Sequence, residues 1–141
     1  MKILLLNGAN MNMLGKRKPE FYGTDTLEEL ENKVRAYAEE LGAEIVCRQS
    51  NCEGELINIL QQTECDGVVF NAGAYSHYSY ALRDCIESLP TPVAEVHMSD
   101  IYSRETFRRV DVLKDVCKVV CLGAGVRSYF DAVSFLVKNF K

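Results

Sequence analysis

A chain of 141 residues, 48% hydrophobic and 26% charged, suits a single catalytic domain, residues 1–141, long enough to bury a true core. Its formal net charge of -4 argues against a general nucleic-acid or membrane-surface partner, since such proteins carry a basic stripe. The apolar opening Met1 to Leu6 turns polar at Asn7, too short for a signal h-region or a membrane span, so a cytoplasmic protein is expected.

Short apolar runs alternate with helical patterns along the chain. Lys2 to Asn7 reads as a first strand. Thr26 to Leu41 reads as a helix, opened by the capping-box signature Thr26-Leu27-Glu28-Glu29 and stopped at Gly42. Glu44 to Gln49 is a second strand, and Ser50-Asn51-Cys52-Glu53 reads as another capping box, opening a helix with Leu56, Ile57 and Leu60 on its apolar face. Gly67 to Asn71 is a third strand, followed by a helix around Ser79 to Ser88. Pro90 and Pro92 then punctuate before a fourth strand, Val93 to Met98. Val116 to Leu122 makes a fifth strand, and Val126 to Phe140 a last helix.

Strands this apolar, separated by helices, imply parallel strands buried on both faces by right-handed crossovers. Five of them predict an α/β, flavodoxin-like, five-stranded parallel sheet of order 2-1-3-4-5 with helices on both faces. Ligands in such sheets bind beyond the carboxyl ends of the strands. The polar residues collect there: Asn7 to Asn12 after strand one, Arg48 to Asn51 after strand two, Asn71 to His77 after strand three, His97 to Asp100 after strand four. Both histidines of the chain fall on this edge. A binding site is expected at it, although asparagines also serve turns, and Asn7, Asn12 and Asn51 need be no more than that.

Glu95 lies inside strand four, where a lone charge is expensive to bury, and the period of two puts it on the side of His97. A carboxylate there would orient the imidazole and raise its pKa, supplying a proton donor near neutral pH. The alternative is a strand-end glutamate paired with a Lys or Arg. The edge excludes several other chemistries: there is no GxxxxGK[ST] phosphate loop and no GxGxxG, since Gly8 and Gly15 are too far apart. Two histidines and scattered carboxylates make no metal set. The six cysteines show no CxxC pair and read as reduced thiols, Cys52 being the exposed one. Acid–base chemistry on a small anion remains.

Four segments carry a resemblance: LNGANMNMLGKRKPEFYG (6–23), RQSNCEGEL (48–56), NAGAYSHYSYALRD (71–84) and EVHMSDIYSRETFR (95–108). Together, and in this order and spacing, they closely resemble type II 3-dehydroquinate dehydratases. The resemblance implies dehydration of 3-dehydroquinate to 3-dehydroshikimate in the shikimate pathway, with no metal or cofactor, on a flavodoxin-like subunit assembled as a homododecamer of trimers. Carried over by position, Tyr22 is similar to the general base that removes the proton alpha to the ketone, with Arg17 beside it. Asn10 matches a residue that helps stabilise the enolate through a water, and His97 the acid that protonates the departing hydroxyl. Asn71, His77, Ser99 and Arg108, with the backbone at Met98, match positions that hold the substrate. Asp84 matches an aspartate that reaches into a neighbouring subunit's site, while Arg104 lies in the same motif without a defined role. Gly15 and Gly23 flank what would be a closing lid.

The chain departs from the commonest family pattern at Ala9, Lys18, Cys52 and Ala72, none of them a proton-transfer residue. A tyrosine is ionised in only about one molecule per thousand at pH 7, so a ready base needs roughly 4 kcal/mol of preference for the phenolate. The cations Lys16, Arg17 and Lys18 supply preference of that sign, Arg17 foremost. Against the enzyme stands a flavodoxin-like module that binds a small anion without chemistry, which would keep His77 and Arg108 but need no Tyr22.

Overall fold

In the computed structural model, which describes residues 1–141, the apolar runs form strands β1 (Lys2–Asn7), β2 (Glu44–Gln49), β3 (Gly67–Asn71), β4 (Val93–His97) and β5 (Val119–Leu122). All neighbours pair in parallel, in the expected order β2-β1-β3-β4-β5. Every residue of β3 and β4 is buried, which is why neither shows polar residues for a solvent face and why Glu95 and His97 in β4 need partners inside the protein. Register sets Asn7 beside both Gln49 and Asn71, and His97 beside Leu122, so the strands end along one edge.

Helices α1 (Pro19–Tyr22), α2 (Leu27–Glu40), α3 (Glu53–Gln62), α4 (Tyr80–Ser88) and α5 (Val126–Phe140) complete the chain. α2 and α5 bury Leu30, Val34, Ala38, Ala132, Val133 and Leu136 against the face of Ile3, Leu5, Val69, Ala94 and Val96. α3 and α4 cover the opposite face, with Leu56, Leu60, Leu82 and Ile86 packed on Leu4, Leu6, Val68 and Phe70. Alternate strand residues thus feed two separate cores, as the period of two requires.

Thr26 caps α2 with both bonds of its capping box. The box expected at Ser50 does not form. The Ser50 hydroxyl instead accepts from the Cys52 amide in a two-residue turn, Cys52 occupies the N-cap without a side-chain bond, and the Glu53 carboxylate accepts from Ser79 Oγ at 2.5 Å. Strand β5 also starts three residues later than expected. Val116 and Cys117 donate back to the Leu113 carbonyl in a turn, so Lys118 precedes the strand, and its amide reaches Val93 O only as pairing begins.

Two features of the backbone shape the carboxyl edge. Gly8 donates to Asn71 O at 2.7 Å, and a Cβ on Gly8 would stand 2.6 Å from the Ala72 carbonyl oxygen. Gly73, at φ +64°, answers from the other side, where a Cβ would stand 2.8 Å from Ala9 O. The exits of β1 and β3 can touch only because both residues lack a side chain. The connection from β4 to β5 carries no long helix, only 3-10 turns at Ile101–Ser103 and Thr106–Arg109, so an irregular segment covers the end of β4. Gly8→Ala should destabilise the fold by roughly 1–3 kcal/mol through overpacking, lowering the urea midpoint with an unchanged m-value.

Candidate active site

The carboxyl edge encloses a cleft of about 120 Å³ lined by nine of the eleven residues expected at the site: Asn10, Arg17, Tyr22, Asn71, His77, His97, Met98, Ser99 and Arg108. A larger groove of about 470 Å³ between β2 and α3 gathers Arg48, Glu55 and Glu64 without a convergent set of catalytic groups. The groups capable of acid–base chemistry line the smaller cleft. Glu95 sits behind it, and Asp84 is exposed on α4 outside it.

Tyr22 ends the four-residue helix α1, which Pro19 opens at a position that needs no amide hydrogen. Gly15 and Gly23 bracket the segment, both at positive φ, 88° and 70°. Arg17 is half-buried, its guanidinium 3.9 Å above the centre of the Tyr22 ring, whereas Lys16 and Lys18 are exposed. The cation at the hydroxyl is a different one. Arg104 Nη1 donates to Tyr22 Oη at 2.8 Å and to Ser99 Oγ at 3.2 Å, with its guanidinium 4.0 Å above the Phe21 ring. The donor at the phenol oxygen is thus a permanently charged one.

Glu95 has no solvent exposure and His97 only 5%, and Glu95 Oε2 meets His97 Nε2 at 2.5 Å. The expected pairing across one strand face is present, and the Lys or Arg alternative for Glu95 is not. A third group joins them from the irregular segment: Asp111 Oδ2 lies 3.7 Å from the same nitrogen. Burial pushes the Glu95 carboxyl well up, aided by Asp111 and opposed by His97. For His97 burial acts downward, but hydrogen bonding to Asp111 and Glu95 and their charges outweigh it, and the imidazole is held well above its ordinary value. Asp111 would be raised by burial, yet His97 and Glu95 hold it below the usual range. These three are the group of acid and imidazole donors that comes together, within 4.8 Å. An ion bridging two ligands at about 2.0–2.2 Å each would separate them well beyond 2.5 Å, so the contact has the spacing of a hydrogen bond.

The remaining side chains set the cleft's shape. His77 Nδ1 donates to Val110 O at 2.8 Å, and its ring lies 6.5 Å from that of His97, nearly parallel. Burial leads the lowering of its pKa, so neutral His77 presents Nε2 as an acceptor. Asn71 Nδ2 donates to Tyr129 Oη at 2.8 Å, and that hydroxyl donates to Asn7 Oδ1 at 2.6 Å. Asn7 is therefore a buried core partner rather than a turn former. Asn51 likewise does more than turn the chain: its Oδ1 accepts from the Asn10 amide at 2.9 Å, holding Asn10 at φ 69°. Arg108 is half-buried, paired with Glu105 and stacked on Phe107. Burial raises the Cys47 thiol to about 12 and the Cys121 thiol to about 11, while Cys52 is exposed.

Comparison with known proteins places the chain in a family. The family model described as dehydroquinase class II matches residues 1–137. The chain belongs to that family. It is 51% identical over 135 residues to the 3-dehydroquinate dehydratase of Pelotomaculum thermopropionicum, covering 94% of each, and 46% identical over 142 residues to that of Thermus thermophilus, covering 99% of this chain and 95% of the relative. The crystal structure of the type II dehydroquinase from Propionibacterium acnes superposes with a TM-score of 0.93 at 36% identity, over 98% of this chain and 97% of that one. That from Butyrivibrio crossotus gives 0.93 at 41%, over 96% and 97%.

Among the site residues of this dehydroquinase-family chain, Asp111 escapes sequence reasoning altogether, and the hydroxyl contact of Arg104 is not foreseen by it. A lone aspartate within the irregular β4–β5 connection carries no pattern that points at His97. No helix is long and apolar enough to cross a membrane.

The acid cluster gives a pH signature. Glu95 and His97 both titrate higher folded than unfolded, so the native state holds extra protons as pH rises above about 5, and their stabilisation is lost through about pH 9. The unfolding free energy should fall across that window by urea titration. Glu95→Gln, which fixes the neutral form, should flatten the lower half of the fall. Asp111 acts oppositely, and only below its ordinary value of 3.8.

Proposed function

We propose that this chain is a type II 3-dehydroquinate dehydratase, a hydro-lyase that converts 3-dehydroquinate to 3-dehydroshikimate by anti elimination through an enolate, and so serves the shikimate pathway. The observation that carries the assignment is the presence, in one cleft, of a tyrosine hydroxyl bonded to a guanidinium and an imidazole backed by two buried carboxyls.

In the proposed sequence Tyr22, as phenolate, takes the proton alpha to the ketone. Arg104 at the hydroxyl and Arg17 over the ring place positive charge where the phenolate's negative charge forms. The enolate oxygen collects the negative charge, and Asn10 faces it through a water. His97, as imidazolium, then gives its proton to the beta hydroxyl, which leaves as water while the double bond forms. Tyr22 ends protonated and His97 neutral, and one net proton returned from the phenol to the imidazole resets the pair. Neutral His77, Arg108, Ser99, Asn71 and the Met98 backbone hold the substrate's carboxylate and hydroxyls. Glu95 orients His97. Asp84, exposed on α4 beside the exposed ring of Tyr80, is free to complete a neighbour's cleft in a homododecamer of trimers, and a cytoplasmic enzyme fits the soluble substrate.

Purified protein without added metal should generate the ultraviolet absorbance of the conjugated enone from 3-dehydroquinate; folded protein with no signal contradicts the assignment. Tyr22→Phe should lower kcat by about 10²–10⁴-fold while the protein still binds the substrate by calorimetry, whereas a binding module would lose nothing. Arg17→Ala and Arg104→Ala should each move the rise of activity to higher pH, with the larger shift for Arg104→Ala because that cation contacts the oxygen.

A further inference from the structure

Two oxygens behind His97 are buried without any hydrogen-bond partner, Glu95 Oε1 and Asp111 Oδ2. Asp111 is not free to turn away: its Oδ1 accepts from the Leu113 amide at 3.0 Å, which aims Oδ2 at the imidazole, 3.7 Å off. Two carboxyls and one imidazole thus share a pocket that water does not reach, the side chain of Asp111 being fully covered. With both carboxyls ionised, each stranded oxygen would face another acceptor. One proton between them gives both a partner and leaves Glu95 Oε2 to accept from His97 Nε2.

We propose that Asp111 is a positioning residue for His97: with Glu95 it forms a buried carboxyl pair that holds one shared proton and, once that proton leaves, keeps His97 an imidazolium. The other groups around the cluster do not compete for the role. His77, from the turn after β3, is held neutral, and Arg108 is paired with Glu105. The Cys117 thiol beside both carboxyls is pushed up by burial and stays protonated. Arg17, Tyr22 and Arg104 stand across the cleft. Raising the pH therefore removes the shared proton first, and the second negative charge then delays loss of the imidazole's own proton.

The inference rests on the dehydratase assignment only for what the imidazolium does, and two measurements separate them. The first compares wild type with Asp111→Asn, which keeps the acceptor for Leu113 and removes the charge. The alkaline limb of kcat should move down by about one pH unit in the variant with KM nearly unchanged. An unmoved limb in folded, active Asp111→Asn, or a change confined to KM, overturns the inference. Wild-type protein inactive on 3-dehydroquinate sinks the assignment instead. The second needs neither activity nor a variant. In wild-type protein labelled with ¹⁵N-histidine and ¹³C-carboxyl groups, His97 should remain doubly protonated above about pH 7, with one of the two carboxyls titrating near neutrality. A neutral His97 at pH 7, or both carboxyls titrating below about pH 5, overturns it.

Discussion

The hydrogen bond between Glu95 and His97 is the constraint around which this edge is arranged. Glu95 is wholly buried in β4, flanked by β3 and β5, where an uncompensated carboxylate would cost several kcal/mol. The strand's alternation delivers an imidazole to it two residues later, and the absence of a long helix after β4 lets an irregular segment bring Asp111 to the same place. A regular crossover helix would have buried that face with aliphatic side chains. The chain instead places three ionisable groups there, and the two carboxyls hold the imidazole's pKa above its ordinary value beside the cleft.

The opposite wall is built on different physics. Tyr22 lies on a four-residue helix that buries no residue of its own, so packing alone does not fix it. Arg104 does: it stacks under Phe21, bonds Tyr22 Oη, and ties both to Ser99 next to His97. One guanidinium thereby joins the segment of Tyr22 to the chain just beyond the strand that carries His97. Arg17 adds charge over the ring face without occupying the hydroxyl. The two walls thus carry opposite fields, cations around the Tyr22 phenol and carboxyls behind the His97 imidazole, as the proposed division between proton acceptor and proton donor requires.

Much of this is legible in the sequence because the inner strands β1, β3 and β4 are buried on both faces and stand out as short, mostly apolar runs between helical patterns. The strands, the two histidines at their carboxyl edge and the side Glu95 shares with His97 follow from periodicity, whereas the order 2-1-3-4-5 rests on what five-stranded sheets of this kind usually adopt. What escapes depends on tertiary context. Ser50 and Glu53 have the spacing of a capping box, yet buried Ser50 satisfies itself in a tighter turn and Glu53 turns to Ser79. Asn7 reads as a turn residue because nothing local reveals Tyr129, 122 residues away, as its partner. Sequence favours Arg17 over Arg104 since Arg17 neighbours Tyr22 in the chain, while the contact with Arg104 spans 82 residues. The β4–β5 connection has neither helical nor alternating pattern, so neither Arg104 nor Asp111 could be placed.

Division of labour between Tyr22 and His97 is the central claim, and isotope exchange in His97→Ala tests it most directly. If Tyr22 removes the alpha proton and His97 only assists departure of the hydroxyl, the variant incubated in heavy water should return 3-dehydroquinate labelled at the alpha carbon while forming little product. Recovered substrate free of deuterium, from folded variant protein, would contradict the account by showing that proton removal itself requires the imidazole.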